Sequence, residues 1–203
     1  MIRHLGACPQ RKEAIAAADQ KRGRRETLYH LRVQDAWSGG YWLHLEINGT
    51  ATLADLDGYL RSIWLECCGH LSMFSVGGWG GEELPMQRRV LPVFARDVEL
   101  THIYDFGTES VTLIKPVGVR KGKPLTEHPI YLMARNSAFE ESCSVCSRPA
   151  TWFCTECWEE QDKPVFFCEE HCEQHEHEEY LMAWVNSPRV GLCGYNGPAE
   201  PPY

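Results

Sequence analysis

The sequence lacks an apolar run long enough to cross a membrane, and no apolar signal segment opens it. A membrane-spanning helix needs about 20 apolar residues, so an integral membrane protein is not expected. The missing signal segment predicts a reducing, cytoplasmic location, where cysteines stay as thiols or bind metal rather than forming disulfides. Internal repeats and long low-complexity tracts are also absent, and 203 residues suffice for one medium domain plus a small module.

Basic residues are scarce in one part of the chain. Residues 138–180 hold 2 Lys and Arg against 12 Asp and Glu, a net charge of −10, whereas residues 1–137 hold 17 against 15, a net charge of +2. An acidic surface repels polyphosphates, so this part is not expected to bind nucleic acid. It also has few apolar side chains for a core of its own: Trp152, Phe153, Val165, Phe166 and Phe167.

Residues 138–180 are, in contrast, rich in cysteine and histidine, the usual ligands of zinc, with nine of them within 35 residues. Two Cys-x-x-Cys knuckles are followed by Cys-x-x-His and further histidines, a spacing typical of structural zinc sites. The alternatives, disulfides or redox pairs, do not suit a reducing compartment. We therefore predict two structural zinc ions and a fold that depends on them. The expected ligands are Cys143, Cys146, Cys154, Cys157, Cys168, His171, His175 and either His177 or Cys193.

The ligand order resembles that of B-box and MYND-type fingers. Those modules form a cross-brace, in which ligand pairs one and three bind one ion and pairs two and four bind the other. The resemblance implies a first site of Cys143, Cys146, Cys168 and His171. The second begins with Cys154, Cys157 and His175, and its last ligand stays open between the nearby His177 and the distant Cys193, which has glycines close by on both sides. Cys172 is a spare thiol that either packs as a small apolar residue or replaces His171.

The first 25 residues carry an excess of Lys and Arg and form a basic N-terminal arm. Such an arm can contact nucleic acid or an acidic partner, or it can be a solvated, partly disordered tail with a short helix over residues 10–22. Any nucleic-acid binding is expected to be weak and to depend on this arm. The other basic segment is a predicted Gly- and Pro-rich loop from Lys115 to Pro129.

Residues 26–137 have the pattern of an α+β domain of mixed strands with one main helix. Alternating apolar residues predict strands at 29–33, 41–47, 70–76, 98–104, 111–113 and 130–134. A helix is predicted from Leu53 to Cys67, opened by a capping box of Thr52 and Asp55 and ended by Gly69. The predicted division is the arm at 1–25, this domain at 26–137, the two-zinc module at 138–195 and a tail at 196–203.

Four short motifs in this domain resemble the plasmid ORF-three-like family, also described as the transposon-passenger TnpR family. They are Tyr29-x-Leu31-x-Val33, Thr52-Leu53-x-x-Leu56, His70-Leu71-x-x-Phe74 and Tyr104-Asp105-Phe106-Gly107. A further run, Asn186-Ser-Pro-Arg189-Val-Gly191-Leu-Cys193-Gly194-Tyr195, is similar to the end of some members. The chain departs from the family at Leu43-His44, where members carry Arg-Arg, and at Thr108, where they carry Asp. The resemblance implies a fold and an association with mobile elements but no activity.

Two constellations have a catalytic interpretation besides a structural one. Cys67-Cys68-Gly-His70 has the residue types of a thiol–imidazole nucleophile pair, or of a helix end followed by a strand. His70 and Asp105 have those of an acid/base pair, or of a core histidine and a turn cap. The structural interpretation is favoured for both. For Cys67-Cys68-Gly-His70 the reason is that no acid orienter or oxyanion loop is recognisable nearby in the sequence.

The sequence therefore predicts a non-enzymatic, zinc-binding interaction protein with a protein partner and no membrane association. The first alternative is a mobile-element-associated factor that binds nucleic acid through its basic arm and the loop Lys115–Lys123. The second is a small hydrolase that uses His70 and Asp105.

Overall fold

The computed structural model describes residues 1–203, and the chain divides into two compact units. Unit 1 comprises Met1–Leu60, Leu71–Asn136 and Tyr203, and unit 2 comprises Arg61–His70 and Ser137–Pro202. Helices occur beside sheets whose strand pairs are antiparallel, so the predicted α+β class is confirmed. None of the helices has the length and apolar character that crossing a membrane requires.

Unit 1 is built on a seven-stranded sheet with the strand order β4-β3-β5-β6-β1-β2-β7. Its helices are α1 (Ile2–Ala7), α2 (Pro9–Gln20), α3 (Leu53–Leu60) and α4 (Val90–Phe94). Its strands are β1 (Glu26–Asp35), β2 (Trp42–Asn48), β3 (Ser72–Val76), β4 (Glu82–Leu84), β5 (Leu100–Tyr104), β6 (Ser110–Gly122) and β7 (Ile130–Arg135).

The core of unit 1 follows from the alternation in β1 and β2. Leu31 pairs with Leu45 and Val33 with Leu43, and all four side chains are fully buried. Burying each such side chain contributes roughly 1.5–3 kcal/mol. A one-residue slip of this register would turn all of them to the opposite face, so the pattern fixes the pairing of the two central strands.

Helix α3 begins as the sequence predicts. The backbone N–H of Thr52 donates to Asp55 Oδ2 at 2.7 Å, and the N–H of Asp55 donates to Thr52 Oγ1 at 3.2 Å, which is a capping box. Helix α3 ends at Leu60, and Arg61–Leu65 in unit 2 forms a π-helical turn.

The prediction of a loop from Lys115 to Pro129 was wrong over its first half, since β6 runs to Gly122. The register between β1 and β6 shifts between His30 and Leu31, which face Gly118 and Pro116, so Val117 is an extra residue on β6. A bulge is a place where a strand tolerates proline, because the regular ladder is interrupted there. The Gly and Pro content thus marks a bulged strand.

The basic N-terminal arm is folded, and the interpretation as a partly disordered tail was wrong. It forms α1 and α2, and Leu5 and Ala18 are buried. Arg11 on α2 donates to Glu46 on β2 at 3.0 Å, and the carboxylate of Asp19 accepts from the N–H of Lys123 at 2.8 Å. That hydrogen bond lowers the pKa of Asp19.

Unit 2 has a small three-stranded sheet with the order β10-β8-β9. Its elements are β8 (Trp152–Cys154), α5 (Thr155–Gln161), β9 (Val165–Phe167), α6 (Glu169–Cys172), a 3-10 turn (Glu178–Tyr180) and β10 (Leu181–Ala183). With only three residues in each strand, this sheet needs support from elsewhere in the unit.

Candidate metal centres

Three clusters of Cys and His side chains in unit 2 can hold metal ions. In each, four ligand atoms lie within 4.8 Å of one another. Cluster A is Cys143, Cys146, Cys168 and His171; cluster B is Cys154, Cys157, His175 and His177; cluster C is Cys67, Cys68, His70 and Cys193.

The distances between ligand atoms fit tetrahedral coordination. With Zn–S bonds of about 2.3 Å and Zn–N bonds of about 2.0–2.1 Å, neighbouring ligand atoms of a tetrahedron lie roughly 3.4–3.8 Å apart. In cluster A the Cys146 and Cys168 sulfurs are 3.8 Å apart, and Cys168 Sγ is 3.4 Å from His171 Nδ1. A disulfide needs sulfurs about 2.05 Å apart, and all ten cysteines are free thiols.

Cluster A is assembled by a knuckle and by the first turn of α6. The N–H of Cys143 donates to the carbonyl of Arg148 at 2.7 Å, and Ser147 in between has the left-handed backbone that such a tight turn needs. Cys168 is the N-cap of α6, so His171 lies one turn away on the same face. The N–H of Ser144 donates to Phe166 at 2.8 Å, which joins the knuckle to β9.

An arginine contacts the most exposed thiol of cluster A. Arg148 Nε donates to Cys146 Sγ at 3.2 Å, while its NH2 group donates to Glu170 at 2.7 Å. The hydrogen bond from Arg148 lowers the pKa of the Cys146 thiol. A thiolate is the form that binds metal, so this contact favours ligation.

Cluster B lies in the small core of unit 2. Cys154 ends β8 and caps α5, where its sulfur accepts from the N–H of Cys157 at 3.4 Å. His177 Nδ1 lies 3.8 Å from Cys154 Sγ, and His175 Nε2 lies 3.4 Å from Cys157 Sγ. The ring of Phe167 packs on His175 with centroids 4.4 Å apart, which orients that ligand.

All the predicted ligands lie in the clusters, but Cys193 lies in a different cluster from the one predicted. The set that the cross-brace resemblance implies for the first site is cluster A, and His177 completes cluster B. Cys193, the other candidate for that last position, lies instead in cluster C, and this assignment is corrected. The spare thiol Cys172 lies outside the three clusters, packs in the core of cluster B and donates to the carbonyl of Glu169 at 3.1 Å.

Cluster C was missed by the sequence interpretation, which favoured structural roles for Cys67, Cys68 and His70. Cys68 Sγ lies 2.9 Å from His70 Nε2 and 3.7 Å from Cys193 Sγ. The hydrogen bond with Cys67 raises the pKa of Cys68 to about 12, opposite to the shift of a nucleophilic cysteine. The sequence did contain a signal for this site. Once the C-terminal Cys and His pairs had been assigned to two zinc ions, these thiols were left without a role.

The hypothesis of a hydrolase using His70 and Asp105 gains no support from the partners of these residues. The Asp105 carboxylate accepts from the N–H groups of Gly107 at 3.0 Å and Thr108 at 3.2 Å. Asp105 itself has φ +64°, so it caps its own turn. His70 is a member of cluster C.

Comparisons with known proteins add little to this geometry. A scan against protein-family models and a search of curated proteins found no match. Among solved structures, the chain is similar to a protein of unknown function from Methanosarcina mazei Go1, at 18% identity and a TM-score of 0.46. The alignment covers 54% of this chain and 69% of that one. The resemblance to the plasmid ORF-three-like family stays a prediction.

Proposed function

We propose that clusters A and B bind two structural zinc ions in a cross-brace and that unit 2 thereby forms a protein-interaction module. The interleaved ligand order carries this proposal: pairs one and three lie in cluster A, and pairs two and four in cluster B. Mixed thiolate and imidazole ligands suit zinc, and four protein ligands leave no open position for a reacting water. The module is therefore non-enzymatic. Ten cysteines outside any disulfide suit a reducing, cytoplasmic setting.

The partner surface that we propose lies on α5. Trp158 is 45% exposed on this helix, and Glu159, Glu160 and Asp162 are exposed beside it. An exposed tryptophan among carboxylates suits a partner with a basic, partly apolar surface, because Trp is enriched where interfaces carry their binding energy. Polyphosphates, in contrast, are repelled by this surface.

Affinity capture with the zinc-loaded full-length protein tests this surface. Trp158→Ala, and separately the double charge reversal Glu159→Lys and Glu160→Lys, are expected to weaken capture of the same protein partner at least about 30-fold, since hot-spot tryptophans contribute about 2 kcal/mol or more. Trp37→Ala is the matched control, because Trp37 is 70% exposed in unit 1. A captured protein that both α5 variants retain fully would contradict the proposed surface.

The nucleic-acid alternative has one observation in its favour. Lys21, Arg22, Arg24 and Lys123 line a common cavity of unit 1, although Glu26 and Glu127 line it too. Six Lys and Arg side chains of residues 1–25 are exposed. Arg25 pairs with Asp19 at 3.2 Å, and the other five are Arg3, Lys12, Lys21, Arg22 and Arg24.

Replacing these five side chains by Gln tests the alternative without removing α1 and α2. Fluorescence anisotropy should show weak binding of duplex or single-stranded DNA to the unaltered protein at low salt. We expect no binding by the variant at low salt, and no binding by the unaltered protein at about 0.15 M salt. The variant should lose affinity because it makes fewer contacts to DNA phosphates. Each phosphate contact contributes about 0.9 to the steepness with which log K falls as log salt concentration rises. Tight binding at about 0.15 M salt that the variant retains would instead make unit 1 a nucleic-acid recognition surface.

A further inference from the structure

Cluster C brings together ligands that are far apart in the chain. Cys67, Cys68 and His70 come from the turn after Arg61–Leu65, and Cys193 comes from near the C-terminus. We propose that cluster C binds a third zinc ion through three thiolates and one imidazole, and that this ion fastens the segment around Cys193 to the turn at Cys67–His70 within unit 2.

The donor atoms have the spacing that such a site needs. Cys67 and Cys68 sulfurs are 3.5 Å apart, Cys68 and Cys193 sulfurs 3.7 Å, and His70 Nε2 lies 3.3 Å from Cys193 Sγ. A zinc tetrahedron has S–S edges of about 3.8 Å and S–N edges of about 3.6 Å, so these three distances agree with it to within about 0.3 Å. The 2.9 Å between Cys68 Sγ and His70 Nε2 is the one short contact.

A buried arginine supplies an independent argument from charge. Zinc with three thiolates and one neutral imidazole carries a net charge of −1, whereas two thiolates and two imidazoles give zero. Arg189 is fully buried, and its Nε donates to Cys67 Sγ at 3.4 Å. Cluster A, which has the same Cys3His composition, has Arg148 Nε at 3.2 Å from Cys146 Sγ. Each of the two clusters that would carry a negative charge with zinc bound thus has one cysteine sulfur that accepts a hydrogen bond from an arginine.

The backbone on both sides is shaped to present these thiols. Gly69 has φ +76°, and its N–H donates to Glu66 at 2.6 Å, which closes the turn between Cys68 and His70. On the other side Cys193 has φ +50°, flanked by Gly191 at +79° and Gly194 at +65°. A non-glycine residue with positive φ is uncommon and such strain gathers at functional sites, where the gain from ligation offsets it.

Cluster C differs from the other two in exposure. It has two exposed thiols, Cys68 and Cys193, whereas cluster A has one, Cys146, and cluster B has none. A chelator reaches exposed ligands first, so the third ion is expected to leave before the other two.

Native mass spectrometry of the reduced, zinc-supplemented full chain tests the proposal. We expect three ions in the unaltered protein, two in Cys193→Ser and two in Cys68→Ser. The matched control Cys8→Ser should retain three, because Cys8 lies outside the three clusters. A short chelator pulse should remove one ion from the unaltered protein and none from Cys193→Ser.

Two results would overturn the proposal. One is an unaltered protein with no more zinc than Cys193→Ser; the other is a Cys68–Cys193 disulfide under reducing conditions. If Cys193→Ser does not fold, cobalt titration of the unaltered protein replaces this test. The thiolate-to-cobalt charge-transfer absorption should grow until three equivalents of cobalt have been added. Absorption that stops growing at two equivalents would contradict a third site. The proposal for clusters A and B is distinguishable, because Cys157→Ser should lose an ion whether or not cluster C binds one.

Discussion

Removal of zinc by a chelator is expected to unfold β8, β9 and β10 while leaving β1, β2 and β6 folded. The core around cluster B consists largely of sulfur ligands, Cys154 and Cys157, packed with Phe167 and Cys172. Binding of a structural zinc ion contributes about 10–16 kcal/mol in small modules, far more than three-residue strands supply. Hydrogen exchange followed by mass spectrometry, with and without chelator, should show protection lost across Ser137–Pro202 and retained in the sheet of unit 1.

Single substitutions separate loss of metal from loss of packing. Cys157→Ser removes a ligand of cluster B and should reproduce the effect of the chelator on β8 and β9. Cys172→Ala removes a buried thiol from the same core without touching a ligand set, so it should keep the metal ions of clusters A and B and most of the protection. Equal loss of protection in the two variants, or loss spread evenly over both units, would show that apolar packing rather than zinc holds this module together.

Local signals were the ones that the sequence made predictable. The alternation in β1 and β2, the capping box at Thr52 and Asp55, and the spacing of the Cys-x-x-Cys knuckles each involve residues a few positions apart. Their physical causes are local too: a side-chain period of two, a hydrogen bond across one helical turn, and two thiols presented by one tight turn.

The assembly of cluster C and the packing of the arm depend on residues far apart in the chain, so the sequence did not predict them. His70 and Cys193 are separated by 123 positions, and no periodicity connects them. The partner of Arg11 lies 35 positions away on β2, so composition alone made residues 1–25 resemble a charged tail. Such contacts form only in the completed fold.

Strand β6 was mistaken for a loop for another reason: in sequence, proline at a β-bulge cannot be distinguished from proline in a loop.

Replacing Glu46 by Gln is expected to destabilise unit 1 by about 3 kcal/mol, the lower end for a broken buried ion pair. Glu46 is 3% exposed and accepts from Arg11 at 3.0 Å and from Arg120 Nε at 2.8 Å. Burial lowers the pKa of neighbouring His30 to about 4 and also lowers that of His44, so the arginines are the cations that balance this carboxylate near pH 7. The amide removes the negative charge and leaves two guanidinium groups facing each other.

Urea-dependent hydrogen exchange of the β1 and β2 amides measures this free energy of unfolding within unit 1. Glu82→Gln is the control, because its pair with Arg96 at 3.3 Å is about half exposed on both sides and should contribute less than about 1 kcal/mol. Combining Glu46→Gln with Arg11→Met should cost less than the sum of the two single changes, since the second removes a cation that the first left uncompensated. Additive losses, or a Glu46→Gln effect as small as that of Glu82→Gln, would mean that α1 and α2 are held by apolar contacts through Leu5 and Ala18 rather than by this ion pair.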